Sequence, residues 1–282
     1  MVETDIASCF SAIPHDKLMQ AVEERISDQG VLKLLRVMLR AGVMEGGQVR
    51  REVAGTPQGG PASPLLCNIY LHRLDRAWDA GWDGVLVRYC DDLVVMCQTR
   101  EQAEAALKRL TGLLAGLGLE PKAAKTRIVH LEEGGEGFDF LGFHHRLVRG
   151  RAPKSAHLTF LARWPSRKAI QHARDRIREI TARQRLLVPA EVIVTELNMF
   201  LRGWAGYFRY GNSARALGQI RNHAFLRLAL WMSKRGNRRH AWGWGIKQVL
   251  LSPDHLGLII LDRTVIRPGP SGPGGENAEC TR

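Results

Sequence analysis

Cysteine is scarce in this 282-residue sequence and falls into no recognisable pattern. The five cysteines, at 9, 67, 90, 97 and 280, form no Cys-x-x-Cys pair, and no histidine cluster completes a zinc set. Neither a disulfide framework nor a structural zinc site is therefore expected, and a reducing compartment fits. Long apolar runs are missing too: none approaches the ~18 residues of a membrane span. The opening stretch, MVETDIASCF, has neither the basic nor the apolar segment of a secretory leader. These absences point to a soluble, cytoplasmic protein with no membrane partner. No internal repeat is present, so a repeat array is not expected.

Acidic residues are also in deficit, with 28 Asp and Glu against 41 Lys and Arg, a formal charge of +13. The deficit is one-sided. Residues 1–143 hold 16 Lys/Arg and 20 Asp/Glu, whereas residues 144–282 hold 25 and 8. The excess is mostly arginine, whose planar fork matches phosphate better than general solubility requires. Nucleic-acid binding is expected of the second half.

Apolar periodicity predicts an order of elements. A short strand over 2–6 precedes a helix opened by Pro14 and a second helix over 31–41. The Gly-rich stretch 42–60 reads as a hairpin and loop, followed by a helix from Ser63 to about Ala80. Strands over 85–89 and 93–97 flank a Cys-Asp-Asp turn, and an amphipathic helix over 101–118 ends at glycine. Strands are expected at 126–131 and 138–145. Residues 146–165 are basic, Pro-containing and irregular, and read as a linker. Helices over about 166–185, 190–209 and 213–235 follow. The Pro/Gly-rich end is expected to be disordered.

The segment VRYCDDLVVMC, residues 87–97, sets Asp91 beside Asp92 between two apolar strands. If the first strand lies alongside, Asp5 joins them at one sheet edge. Such an oxygen-rich edge suits Mg²⁺. An Asp-Asp pair alone, however, is an ordinary turn. Its company decides. The segment resembles the YxDD motif of reverse transcriptases, and TDIASCFSAIPHDKL (4–18) resembles the upstream motif that carries their third aspartate. GTPQGGPASPLLCNIYLHRLD (55–75) is similar to the PQG loop and helix, LGLEPKAAKT (117–126) to the later lysine motif, and FDFLGF (138–143) to the primer grip. ELNMFLRGWAGYFRYGNSARALGQIRNHAFLRLALW (196–231) resembles the maturase domain, or domain X, of group II intron proteins. These motifs appear in the family's order and span roughly residues 1–240.

The resemblance implies an α+β fold: a reverse-transcriptase palm over 1–145, the basic linker 146–165, an all-α thumb and maturase domain over 166–250, and a tail over 251–282. It implies RNA-directed DNA polymerisation, a nucleotidyl transfer in which Asp5, Asp91 and Asp92 hold Mg²⁺ or, in its place, Mn²⁺. An RNA template with a DNA primer, deoxynucleoside triphosphates and a group II intron RNA would be the partners. Phe10 would wall the sugar pocket against a 2′-hydroxyl, Gln58 and Gly59 would line the nascent base pair, Lys125 would meet the triphosphate, and Gly142 would admit the primer backbone. Arg202, Arg209, Arg215, Arg235, Arg238 and Arg239 are the candidates for RNA phosphate. Trp204, Tyr207 and Phe208, at helical spacing, are expected in a core. Relatives carry a basic finger region ahead of the Asp5 motif, which is expected to be absent from this chain, so a second function of a different class stands beside the enzyme: an RNA-binding splicing cofactor without catalysis.

Overall fold

The computed structural model of the protein describes residues 1–41, 54–55, 60–150, 158–235, 243, 246, 249 and 257–261, together with the backbone of 43–45 and 48–50. The chain mixes helix and sheet and divides into two compact units, Met1–Leu131 and Glu132–Arg282. Among the described residues, no helix is long and apolar enough to cross a membrane.

The first unit is built on an antiparallel sheet in the order β4-β5-β1-β6. Its strands are β1 (Val2–Asp5), β4 (Val85–Tyr89), β5 (Asp92–Met96) and β6 (Arg127–Ile128). Strand β1 lies between β5 and β6, so the short opening segment becomes the middle of the sheet. Helices α1 (Cys9–Ala12), α2 (His15–Glu23), α3 (Gln29–Arg40), α4 (Ser63–Ala77), α5 (Ala80–Asp83) and α6 (Arg100–Gly116) complete it, with a β2–β3 hairpin (Val43–Glu45, Gln48–Arg50). Leu18, Val22, Leu66, Tyr70, Leu74, Leu93, Leu110 and Leu114 share one buried cluster, the apolar stripes of α2, α4 and α6 meeting under β5. Capping fixes the helix starts. Asp28 accepts hydrogen bonds from the amides of Gly30 and Val31, which starts α3 two residues before its apolar pattern does. Thr99 likewise caps α6.

The second unit opens with a three-stranded antiparallel sheet, β7 (Phe138–Phe140), β8 (Phe143–Arg149) and β9 (Thr159–Pro165). Two expectations are corrected here. FDFLGFHH is not one strand: Leu141 and Gly142 have φ of 49° and 77°. Two left-handed residues in succession make the tight turn favoured in hairpins, with leucine in the place usually given to Asn. Of the stretch expected to be an irregular linker, residues 146–149 and 159–165 are strand, because β8 runs on to Arg149 and β9 pairs with it along its whole length; residues 151–157 lie outside the described residues. The charged residues masked the alternation. Arg146, Val148, Phe160, Ala162 and Trp164 share one face, and Phe143, Leu147 and Leu161 the other. The division at Leu131 also places β7 and the first part of β8 in the second unit, ahead of the expected boundary at 145.

Helices α7 (Arg167–Ile180), α8 (Ala190–Phe208) and α9 (Ala214–Arg235) follow, with a 3₁₀ turn at Arg183–Arg185. Ile177, Ile193, Leu197, Leu201, Leu217, Ile220, Leu228 and Trp231 are buried together between them. Ser166 caps α7 by accepting from the Ala169 amide.

Candidate active site

Antiparallel pairing sets the register at the end of β1. Asp5 lies opposite Asp92, and Tyr89 opposite Asp92 across the next ladder. The β4–β5 connection is the two-residue turn Cys90-Asp91, with Cys90 at a φ of 52°. A side chain in that region is strained by about 1–2 kcal/mol. The turn is stitched to β1 by the Ile6 amide, which donates to the Asp91 carbonyl at 3.1 Å. All three sequence-identified aspartates therefore meet at one edge of the sheet. Asp5 is only 6% exposed, and Asp91 and Asp92 are half-buried.

The loop after α6 closes this edge. The Ala7 amide donates to the Glu120 carbonyl, the Lys122 amide to the Asp5 carbonyl, and the Lys125 amide to the Lys122 carbonyl. This turn aims Lys125 inward, where its ammonium pairs with Asp5 Oδ2 at 2.5 Å. The hydrogen bond to Asp5 raises the Lys125 pKa above its ordinary value. Burial, and then the charge of Asp5, push the Asp92 carboxyl above its ordinary value, with Lys125 working against them.

Asp5 Oδ1 is buried and accepts no hydrogen bond among the described residues. A buried carboxylate oxygen without a donor is costly, and a cation is the partner that relieves it. Oxygen donors at this edge, held by backbone pairing, suit Mg²⁺ or Mn²⁺. Among the described residues, no three His, Cys, Asp or Glu side chains are already gathered as a ligand cluster. Lys125 provides the positive charge that the carboxylates face.

Behind the turn stands Arg88, which sequence reasoning missed. Its guanidinium forks onto Asp75 through Nε at 2.7 Å and Nη2 at 2.5 Å, and Nη1 donates to Asn68 Oδ1 at 2.9 Å and to the Cys90 carbonyl at 3.1 Å. Asp75 and Asn68 lie on α4, so one largely buried arginine ties the Cys90-Asp91 turn to a core helix. Only the apolar register of α4 against β4 could have suggested it. Nearby, Cys9 of α1 and Cys67 of α4 bring their sulfurs within 3.4 Å. Their mutual hydrogen bond and burial hold the Cys9 thiol well above the ordinary range.

Phe10 packs half-buried against the same core. Beside it, Gly55 was also missed. With a φ of 96°, it would drive a Cβ to 2.8 Å from the Ser11 Cα. Its amide donates to the Ile13 carbonyl, which anchors the backbone at this position. Gln58 and Gly59 themselves lie outside the described residues.

The remaining candidates belong to the second unit. A Cβ on Gly142 would come within 3.3 Å of the Phe208 ring, and the Tyr207 hydroxyl donates to the Leu141 carbonyl at 2.9 Å. The glycine thus serves a turn and a ring contact within this unit. Trp204 and Phe208 are buried, as the helical spacing implied, while Tyr207 is half exposed. Arg202, Arg209, Arg215 and Arg235 are exposed. Arg202 lies on α8 and Arg209 caps its end, seven residues on. Arg215 and Arg235 stand at opposite ends of α9, about 30 Å apart, so these arginines are spread rather than focused. Arg235 also donates to the Val188 carbonyl and lies over the Trp231 ring. Arg238 and Arg239 lie outside the described residues. His144 and His145 are structural: His144 bonds Asp139 and His145 stacks on Phe138.

Comparison with known proteins identifies the family. Residues 1–145 match the family model described as reverse transcriptase (RNA-dependent DNA polymerase), and residues 170–250 match the group II intron, maturase-specific domain. Over 186 residues the chain is 33% identical to Protein YkfC of Escherichia coli, covering 54% of this chain and 48% of that protein. Over 75 residues it is 45% identical to the group II intron-encoded protein LtrA of Lactococcus lactis, covering 27% of this chain and 12% of LtrA. A 74-residue stretch is 46% identical to an uncharacterized 91 kDa protein in the cob intron of Schizosaccharomyces pombe, covering 26% and 9% respectively. The chain thus spans less than half the length of each of these relatives.

Proposed function

Because the chain belongs to the reverse transcriptase (RNA-dependent DNA polymerase) family and carries a group II intron maturase-specific domain, we propose that it copies RNA into DNA and binds a group II intron RNA to assist its splicing and mobility. The first unit acts as the palm and the helices of the second as thumb and maturase domain. The observation that carries the chemistry is the register pair Asp5–Asp92 beside the Asp91 turn, with one buried carboxylate oxygen left without a donor.

Asp5, Asp91 and Asp92 are the residues to hold Mg²⁺ or Mn²⁺. When bound, the ion supplies positive charge to the transferring phosphoryl group and acidifies the primer 3′-hydroxyl. The chain's own groups do the rest. The β1–β5 ladder fixes the carboxylates against repulsion. Lys125, half exposed beside the carboxylates, would present its ammonium to the triphosphate of an incoming nucleotide. Phe10 narrows the sugar pocket and favours deoxynucleotides by steric exclusion. Exposed arginines of α8 and α9 take RNA phosphates.

One observation favours the second reading, a splicing cofactor without catalysis: the Lys125 ion pair already neutralises Asp5. Extension of a DNA primer on an RNA template, run beside an intron-splicing assay, separates the two. Extension supports the polymerase. Stimulated splicing without extension assigns the chain to the cofactor role.

A further inference from the structure

In the second unit, β8 and β9 set Arg146 opposite Ala162 and Val148 opposite Phe160, and His144 opposite Trp164. Strand alternation puts these on one face. With the starts of α7 and α9, that face lines a groove of about 940 Å³. Four arginines, Arg146, Arg149, Arg167 and Arg215, border it, and among the described residues no acidic one lines it. Phe160, 41% exposed, and Trp164 form its aromatic floor. The Trp164 indole is braced from within by the His144 ring at 5.2 Å.

The arginines are unequally occupied. Arg149 pairs with Glu133 at 3.0 Å, at the exposed rim. Arg146 donates through Nη2 to the Gly134 carbonyl, but its Nε is buried and has no partner among the described residues. Among the described residues, Arg167 and Arg215 have no ion-pair partner. A buried, unsatisfied guanidinium nitrogen and two unpaired guanidinium groups around one concavity favour an anion with several oxygens.

The groove also offers ring faces, which an anion alone does not need. A duplex hides the faces of its bases, whereas an unpaired nucleotide presents one together with its flanking phosphates. We infer that this groove seats an unpaired nucleotide of a nucleic-acid strand, its base on Phe160 and Trp164 and its phosphates on Arg146, Arg167 and Arg215. The inference rests on the RNA-binding role given above to the second unit and deepens it. That unit would take a looped or bulged strand here, a surface distinct from the exposed arginines of α8. RNA and DNA strands share the chemistry, and the 2′-hydroxyl decides between them.

The test is fluorescence anisotropy of the full chain with three labelled probes: a short single-stranded RNA, the same sequence as DNA, and a blunt RNA duplex. Phe160→Ala, at an exposed position, should weaken binding of the single strand about five- to a hundredfold and leave the duplex unchanged. Phe160→Leu, apolar but without a π face, should lose as much. Arg167→Ala with Arg215→Ala should lower the slope of log affinity against log salt on single strands by about 1.4. Loss on RNA alone identifies an RNA strand, and equal loss on both sugars identifies a strand of either kind. Unchanged single-strand binding by Phe160→Ala, or an equal loss on the duplex, overturns the groove. If the wild type binds none of the probes, the RNA-binding role itself fails.

Discussion

Replacing Arg88 by alanine should be the most damaging single change to the Cys90-Asp91 turn that leaves Asp5, Asp91 and Asp92 in place. The arginine side chain is 12% exposed and its partner Asp75 33%. Removing one member of a buried, hydrogen-bonded ion pair costs about 3–5 kcal/mol. Asp75 keeps a third of its surface in water, which screens the stranded carboxylate and lowers the figure to about 2–3 kcal/mol. The change also frees the Cys90 carbonyl and Asn68 Oδ1, which Nη1 holds at 3.1 and 2.9 Å. Cys90, strained at a φ of 52°, then loses one of the contacts that hold the turn. Arg88→Lys keeps the charge but not the fork and should lose about half as much. Urea denaturation of both variants, with Asp75→Ala and the double mutant, measures the coupling. If Arg88→Ala lies within about 0.5 kcal/mol of the wild type, or the cycle shows no coupling, the turn is not held in the way described.

Three other outcomes are expected. Lys125→Ala removes the ammonium that Asp5 faces and should destabilise the metal-free chain by about 1 kcal/mol, because Lys125 is half exposed; since it no longer competes with the cation, the variant should also gain more stability from Mg²⁺ than the wild type does in thermal melts, and an equal gain would refute the shared site. His145, held to a pKa of about 4 by burial and then by Arg163 and His144, stays neutral in the folded chain while the unfolded chain takes up a proton below about 6.5. Stability should therefore fall as pH drops from about 6.5 to about 4, by about 1–3 kcal/mol after allowance for the solvent that reaches the ring; His145→Phe should flatten that part of a urea stability profile. Gly55→Ala must accept both a left-handed backbone and a Cβ 2.8 Å from the Ser11 Cα, and should cost about 2 kcal/mol or more by the same denaturation measurement.

Legibility from the sequence followed the range of the interactions. Periods of two and 3.6 disclosed β1, the β4–β5 pair and the helices α4, α6, α8 and α9, and the ordered motifs disclosed the aspartates. Residues 146–149 and 159–165 were misread because arginine occupies positions on both faces of β8 and β9, so charge hid an alternation that only pairing makes evident. The Leu141-Gly142 turn was hidden by a leucine at a left-handed position, a conformation leucine seldom adopts. Arg88 and Gly55 act on residues 13 and 44 positions away, on Asp75 and on Ser11. No local pattern marks such partners. Lys125 was recognised by its motif, but its pairing with Asp5 depends on the fold of the 120–126 turn.

The most direct test of the central claim is single-nucleotide addition to a DNA primer annealed on RNA, in Mg²⁺, by the wild type and by Asp92→Asn. The substitution keeps the size of a half-buried side chain opposite Asp5 and removes its charge. The account predicts addition by the wild type and a loss of a thousandfold or more in the variant, on the order expected when one electrostatic stabiliser of the transition state is removed, with intron RNA binding and circular dichroism unchanged. Addition by Asp92→Asn at the wild-type rate would show that the chemistry takes place elsewhere.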